Sequence, residues 1–220
     1  MPQSRQAEVV PDTPSLFLAE VERHHQPGPY ATLVADARNN GIEYSRIWDL
    51  FAYQNDITAH MGRFTQGVLR QPSSISPGMR ELVAAYTSHL NRCGFCTQAH
   101  AHAAATLLED ERLLSAVALV AVDVFQVLED LESSPLARRD KALLRFVAKL
   151  TLHLADVTRA DVALLTSEGW DDEAVYFVVT TCALFNFYNR WITGLGVPQM
   201  SEPAHRAQGQ VLAARGYTRS

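Results

Sequence analysis

The chain has 220 residues, enough for one domain of ordinary size with a well-buried core. Apolar residues make up 47% and charged residues 20%, the balance of a soluble globular protein, and the net charge of −5 argues against a nucleic-acid surface or a polybasic membrane patch. No apolar run approaches the roughly 20 residues that span a bilayer; the stretch from Leu113 to Val124 is too short and contains Asp123.

Residues 1–13 read as a flexible arm, and Met1 to Pro14 has no apolar region of the signal-peptide kind. Ser15 to His25, with Leu16, Phe17, Leu18 and Val21, is a short helix that Pro27-Gly28-Pro29 stops. Tyr30 to Asn39 is a second, ended by Asn39-Asn40-Gly41. Ile47, Leu50, Phe51, Ile57, Met61, Phe64 and Val68 recur at helical spacing, so residues 43–70 are helical with an interruption near Gln54-Asn55-Asp56. Ser76 as N-cap and Pro77 at the first helical position open a helix that should end near Asn91-Arg92. Gly94 allows a close turn into the next helix, which runs to about Glu109 and carries a flank of alanines from Ala99 to Ala105. Glu111 to Leu128 is apolar and reads as a further helix. Ala137 to Leu152 is amphipathic. Thr158 and Asp161 form a capping box for a short helix that Gly169 ends. Asp171 caps a longer helix through Trp191. The tail from Ser201 to Ser220 is polar, with Val211 and Leu212 as its strong anchors. No stretch alternates as a strand does, so the fold class is all-α, a helical bundle. The division expected is 1–42 as an N-terminal arm with short helices, 43–197 as the helical domain and 198–220 as a C-terminal tail. The segments 77–109 and 138–195 share a helix–turn–helix grammar, a faint sign of internal repetition.

Chemistry concentrates between Glu81 and His100. Only three cysteines are present, and two form Cys93-x-x-Cys96. That is no secreted disulfide framework; it points to a reducing, cytoplasmic compartment and to a redox or metal role for the pair. If Cys93 opens a helix, Cys96 follows one turn later and His100 stacks over Cys96 at i, i+4. A thiol at a helix N-terminus meets free N–H groups and the positive end of the dipole, which favours the thiolate. An imidazole one turn on can accept the thiol proton, and Glu81 can orient that imidazole.

These residues carry a resemblance. Ser76-Pro77-x-x-Arg80-Glu81 followed by Leu90-Asn91-x-Cys93-x-x-Cys96-x-x-x-His100 resembles the signature of AhpD-like alkylhydroperoxidases of the carboxymuconolactone decarboxylase superfamily. Val157-Thr158-x-Ala160-Asp161-Val162, Gly169-Trp170 and Ala183 to Arg190 look like the C-terminal half of its peroxidase-related branch. The resemblance covers roughly residues 43–197. It implies a helical thiol peroxidase, usually oligomeric, without a cofactor, acting on hydrogen peroxide or alkyl hydroperoxides. Cys96 would be the peroxidatic thiol, oxidised to a sulfenic acid, and Cys93 the resolving thiol that closes the disulfide. Glu81 and His100 would relay the proton through water. A lipoamide-like or thioredoxin-like dithiol would reopen the disulfide. The chain departs from the best-studied branch at Phe95, where a histidine often stands between the cysteines.

Other readings of the same residues stand beside this one. A lactone enzyme of the superfamily would use His and acid groups and needs no Cys-x-x-Cys. A non-catalytic zinc or redox-sensing module would take Cys93, Cys96 and His100 as ligands, with Glu81 or His89 as the fourth. His89 and His102 read as surface or lining residues, Tyr86 as core, and Cys182, in an apolar run, as an inert core thiol. Asn186, Asn189 and Arg190 read as polar partners across the interior or at a subunit contact, not as catalytic groups.

Overall fold

The computed structural model describes residues 16–115 and 121–218. Its helices are α1 (Ala19–Arg23), α2 (Pro29–Asn39), α3 (Ile47–Tyr53), α4 (Asn55–Arg70), α5 (Pro77–Leu90), α6 (Gly94–Leu114), α7 (Val124–Glu129), α8 (Arg138–Leu152), α9 (Arg159–Ser167), α10 (Asp172–Gly194) and α11 (Glu202–Arg215), with one 3-10 turn at Leu154–Asp156. No strand occurs among the described residues.

The punctuation read from the sequence is in place. Ser76 Oγ accepts from Met79 N–H, Asp171 accepts from Ala174 N–H, and the Thr158–Asp161 capping box forms in both directions. The helical run expected over 43–70 breaks at Gln54 into α3 and α4 but starts only at Ile47. Three more expectations are corrected. The first helix is only five residues long. The separate helix over 111–128 does not form as one piece: α6 absorbs its start up to Leu114, Asp123 caps a new short helix through its side chain, and residues 116–120 lie outside the described residues. The polar tail contains α11, fourteen residues long, capped by Ser201 with Glu202 in its first turn.

Helix α5 is the centre of the bundle. Every residue from Gly78 to Ser88 is buried, because α4, α6, α7, α8 and α10 pack around it. The main core gathers Leu82 and Val83 with Leu143, Leu144 and Val147 of α8 and Val178 and Cys182 of α10; each such side chain stabilises the fold by roughly 1.5–3 kcal/mol. Arg80 is fully buried; its Nη1 and Nη2 donate to the carbonyls of Val68 at 2.9 Å and Gln71 at 2.8 Å, while its Nε has no hydrogen-bond partner among the described residues. A second core joins Phe51, Leu69, Phe95, Phe185, Tyr188 and Ile192 around both motif cysteines.

The alanine flank of α6 receives α11. Ala99 and Ala103 pack against Leu212, and Gly209 lies so close that a Cβ there would meet His102 Cβ at 2.4 Å. At the other end of the chain, buried Asp49 accepts from Arg46 Nε at 2.8 Å and Arg38 Nη2 at 2.9 Å, tying α2 to α3. Both terminal segments thereby become walls of the site.

Candidate active site

Helix α5 ends in a tight reversal. Arg92 takes the left-handed conformation, φ 57°, and the N–H groups of Arg92 and Cys93 donate to the carbonyls of His89 and Ser88, both at 2.9 Å. This closes the C-terminal turn and leaves Cys93 as N-cap of α6. Cys96 is then the third residue of the helix, and His100 lies one turn beyond it.

The two thiols are pushed in opposite directions. The thiol of Cys96 donates to Cys93, which is the main cause holding Cys93 at about 6; burial opposes it, and the Cys96 N–H, Thr193 and Asn189 assist. No full capping bond to the Cys93 side chain forms, so the thiol–thiolate contact outweighs the helix terminus. Cys96 is pushed well above 9.0 by the same contact and by its burial. Asn189, which helps both sulfurs, is fixed by neighbours: its Nδ2 donates to Ser88 Oγ and its Oδ1 accepts from Asn91 Nδ2, both at 2.9 Å. Read from sequence as an interior polar partner, it is that, and it also serves the thiols.

Behind the pair lies a buried ionic network. Glu81 is fully buried. Its Oε2 accepts from His100 Nδ1 at 2.8 Å. Its Oε1 accepts from Arg70 Nη2 and from the Tyr217 hydroxyl, each at 2.6 Å. Burial acts to raise the Glu81 pKa, but the hydrogen bond and charge of His100, with Arg70 and Tyr217, outweigh it and hold the carboxyl below 4.5. Because Nδ1–H points at the carboxylate, Nε2 is the ring nitrogen left to accept a proton.

Cys96 and His100 open onto one cavity of about 1010 Å³, and Cys93 does not line it. Tyr30 and Phe51 come from α2 and α3, Phe185, Tyr188 and Ile192 from α10, and Leu212 from α11. The cavity is thus largely apolar, with a thiol and an imidazole on one wall.

The structure brings together all four residues singled out from the sequence, Glu81, Cys93, Cys96 and His100. It adds Arg70 and Tyr217, which the sequence reading did not single out, and places Asn189, read as a polar partner, beside the thiols; Tyr217 carried no periodic signal. Phe95 is buried edge-on against His205, ring centroids 5.4 Å apart. Cys182 is a buried core thiol, and Tyr86 belongs to the main core. Among the described residues no group of three or more His, Cys, Asp or Glu is arranged to hold a metal ion, and no helix is long and apolar enough to cross a membrane.

The architecture is that of AhpD-core proteins. An uncharacterized peroxidase-related protein from Silicibacter sp. TM1040 superposes with a TM-score of 0.66 at 22% identity, covering 84% of this chain and 91% of that one. An uncharacterized peroxidase-related protein from Ralstonia eutropha JMP134, described as an alkylhydroperoxidase AhpD core, gives 0.66 at 20% identity, covering 87% and 97%. At such identities the likeness is one of fold. Residues 55–127 match the carboxymuconolactone decarboxylase family. Glu81, Cys93, Cys96 and His100 all fall inside the matched segment. No curated protein matches the sequence.

Proposed function

We propose that the protein is a thiol-dependent peroxidase that reduces hydroperoxides through a Cys93–Cys96 dithiol–disulfide cycle. The observation that carries this reading is the convergence of a paired thiol and thiolate with a carboxylate-oriented imidazole, Cys96 and His100 lining one cavity. Cys96 lines the cavity and Cys93 does not, which supports Cys96 as the sulfur that meets peroxide. At rest it holds its proton, which passes to His100 Nε2 through water or to Cys93 as peroxide arrives. The Cys96 thiolate takes the distal peroxide oxygen, the O–O bond breaks, and the alkoxide leaves as alcohol on receiving the proton. Cys93 then attacks the sulfenic sulfur; the S–O bond breaks, and the departing hydroxide takes a proton from solvent and leaves as water as the disulfide forms. Two electrons have passed from the thiols to peroxide, and an external dithiol, lipoamide-like or thioredoxin-like, returns them by exchange.

The test is one equivalent of hydroperoxide followed by mass spectrometry. The reading expects a Cys93–Cys96 disulfide in the wild type and, in Cys93→Ser, a sulfenic acid on Cys96 that a dimedone-type reagent traps. Free thiols in both after treatment would overturn it. We also propose a homo-oligomer, on the strength of large exposed apolar side chains such as Leu164, Tyr176 and Phe187; light scattering that finds a monomer at micromolar concentration would contradict it.

A further inference from the structure

We propose that Tyr217 is a positioning residue of the proton relay: its hydroxyl and Arg70 together occupy Oε1 of Glu81, which reserves Oε2 for His100 Nδ1–H and leaves Nε2 free on the cavity side. The inference rests on the relay reading of Glu81 and His100 given above. It adds a residue more than a hundred positions away in sequence and outside the segment 55–127 that matches the family.

The C-terminal segment is built to deliver this side chain. Helix α11 lies against α6 through Gly209 and ends at Gly216, φ 67°, whose N–H donates to the Leu212 carbonyl at 2.9 Å. A Cβ at Gly216 would meet Gln66 Oε1 at 2.2 Å, and that same oxygen accepts from the Tyr217 N–H at 2.7 Å. The chain thus turns inward at a position that favours glycine and is fastened there by α4. Arg70 holds the other side, donating from Nη2 to Leu212 O at 2.9 Å as well as to Glu81. Its guanidinium lies 5.1 Å from the centroid of the Tyr217 ring. The ring is stacked on His100, 11° from coplanar at 6.1 Å between centroids, with the hydroxyl 3.2 Å from Nδ1.

The chemistry follows from the count of donors. A buried tyrosine hydroxyl needs an acceptor, and Glu81 Oε1 is the one within 2.6 Å. Without that hydroxyl, Oε1 keeps a single donor and the carboxylate becomes more basic toward the imidazole. A His100 held as imidazolium cannot accept the thiol proton. The other titratable or charged groups around the relay are Arg70 on α4, Arg80 on α5, Cys96 on α6, Tyr188 on α10, Tyr30 on α2 and Arg215 on α11, with Glu43 and Tyr44 from the segment between α2 and α3 also lining the cavity.

Tyr217→Phe keeps the ring, its stacking and its contact with Arg70, and removes only the hydroxyl. The readout is the pH profile of Cys96 alkylation by iodoacetamide, resolved from Cys93 by fragment mass spectrometry on the folded full-length chain. The low-pH limb should move upward by about half a pH unit or more, as loss of one hydrogen bond to a buried carboxylate implies. A profile of unchanged position would overturn the proposal, even if every rate fell by a common factor, since packing alone lowers rates without moving a limb. If Tyr217→Phe does not fold, Gln66→Ala, which frees the tyrosine backbone and leaves the four network side chains intact, decides by the same criterion. Failure of the peroxidase reading is a separate result: the wild type would leave hydroperoxide unconsumed, while alkylation would still report on Tyr217.

Discussion

His100 Nδ1–H donates a hydrogen bond to Glu81 Oε2 at 2.8 Å, one helical turn from Cys96 on the same wall of the cavity. A buried carboxylate that fixes an imidazole tautomer in this way makes Nε2 the base. In His100→Ala, oxidation of Cys96 by hydroperoxide should fall about 100-fold at about pH 7. The deficit should narrow as pH rises, because hydroxide replaces the missing base. It should not close by about pH 9, since Cys96 sits well above 9.0. A constant ratio of the two stopped-flow rates across that range would make the role of His100 structural.

The thiol pair has its own titration. Thiolate absorbance near the ultraviolet cut-off should show one sulfur ionising at about 6, assigned to Cys93 with Cys96 as donor. Cys96→Ala removes the main donor to Cys93, so the Cys93 step should move up toward the ordinary value of about 8.5. A step that stays at about 6 in that variant would place its origin in the helix terminus and Asn189 instead.

Acid stability should follow Glu81. Its carboxyl is held below 4.5 in the fold, so it contributes stability that is present above the unfolded value and is lost as pH falls through the lower folded value. Denaturant unfolding of wild type and Glu81→Gln should therefore differ most near neutrality and converge under acid. Comparing the two proteins cancels the contribution of Asp49, whose carboxyl burial pushes up. Glu81→Ala, which leaves Arg70 buried without its partner, should cost about 3–5 kcal/mol at neutral pH.

The cavity sets a preference. At about 1010 Å³ with mainly apolar walls, it has room for a bulky organic hydroperoxide whose burial would add to binding. Leu33→Trp fills space on the α2 wall, away from the thiols. It should raise KM for an aromatic hydroperoxide about tenfold or more, the effect of losing roughly 1.4 kcal/mol of apolar contact, and leave the rate with hydrogen peroxide unchanged. Equal effects on both substrates would mean that the organic part binds elsewhere.

The helices were legible in the sequence because their signals are local. Caps at Ser76, Thr158 and Asp171 act within one turn, and the apolar period of α5 and α8 shows within a dozen residues. Cys93, Cys96 and His100 were legible for the same reason, being confined to one helix and the turn before it, whereas Glu81 was singled out through the family resemblance. The break after Leu114 was not: the apolar run Leu113 to Val124 has the composition of a helix, and the cap at Asp123 competes with its continuation.

What the sequence determined by itself is most of the helices, though not the break between α6 and α7 or α11, together with the N-cap placement of Cys93 and the i, i+4 register that puts His100 over Cys96, since each depends on bonds between near neighbours in the chain. Only the tertiary structure decided which sulfur holds the charge, which one faces the cavity, and what surrounds Glu81. Those outcomes depend on groups that reach the site from α4, α10 and the segment after α11: Arg70, Asn189 and Tyr217. A polar residue in a tail carries no periodicity to reveal where it will go. Tyr217 reaches Glu81 because Gly209 admits α11 against the alanine flank of α6 and Gly216 turns the chain inward, and close packing between distant segments is settled by shape, which a linear pattern does not encode.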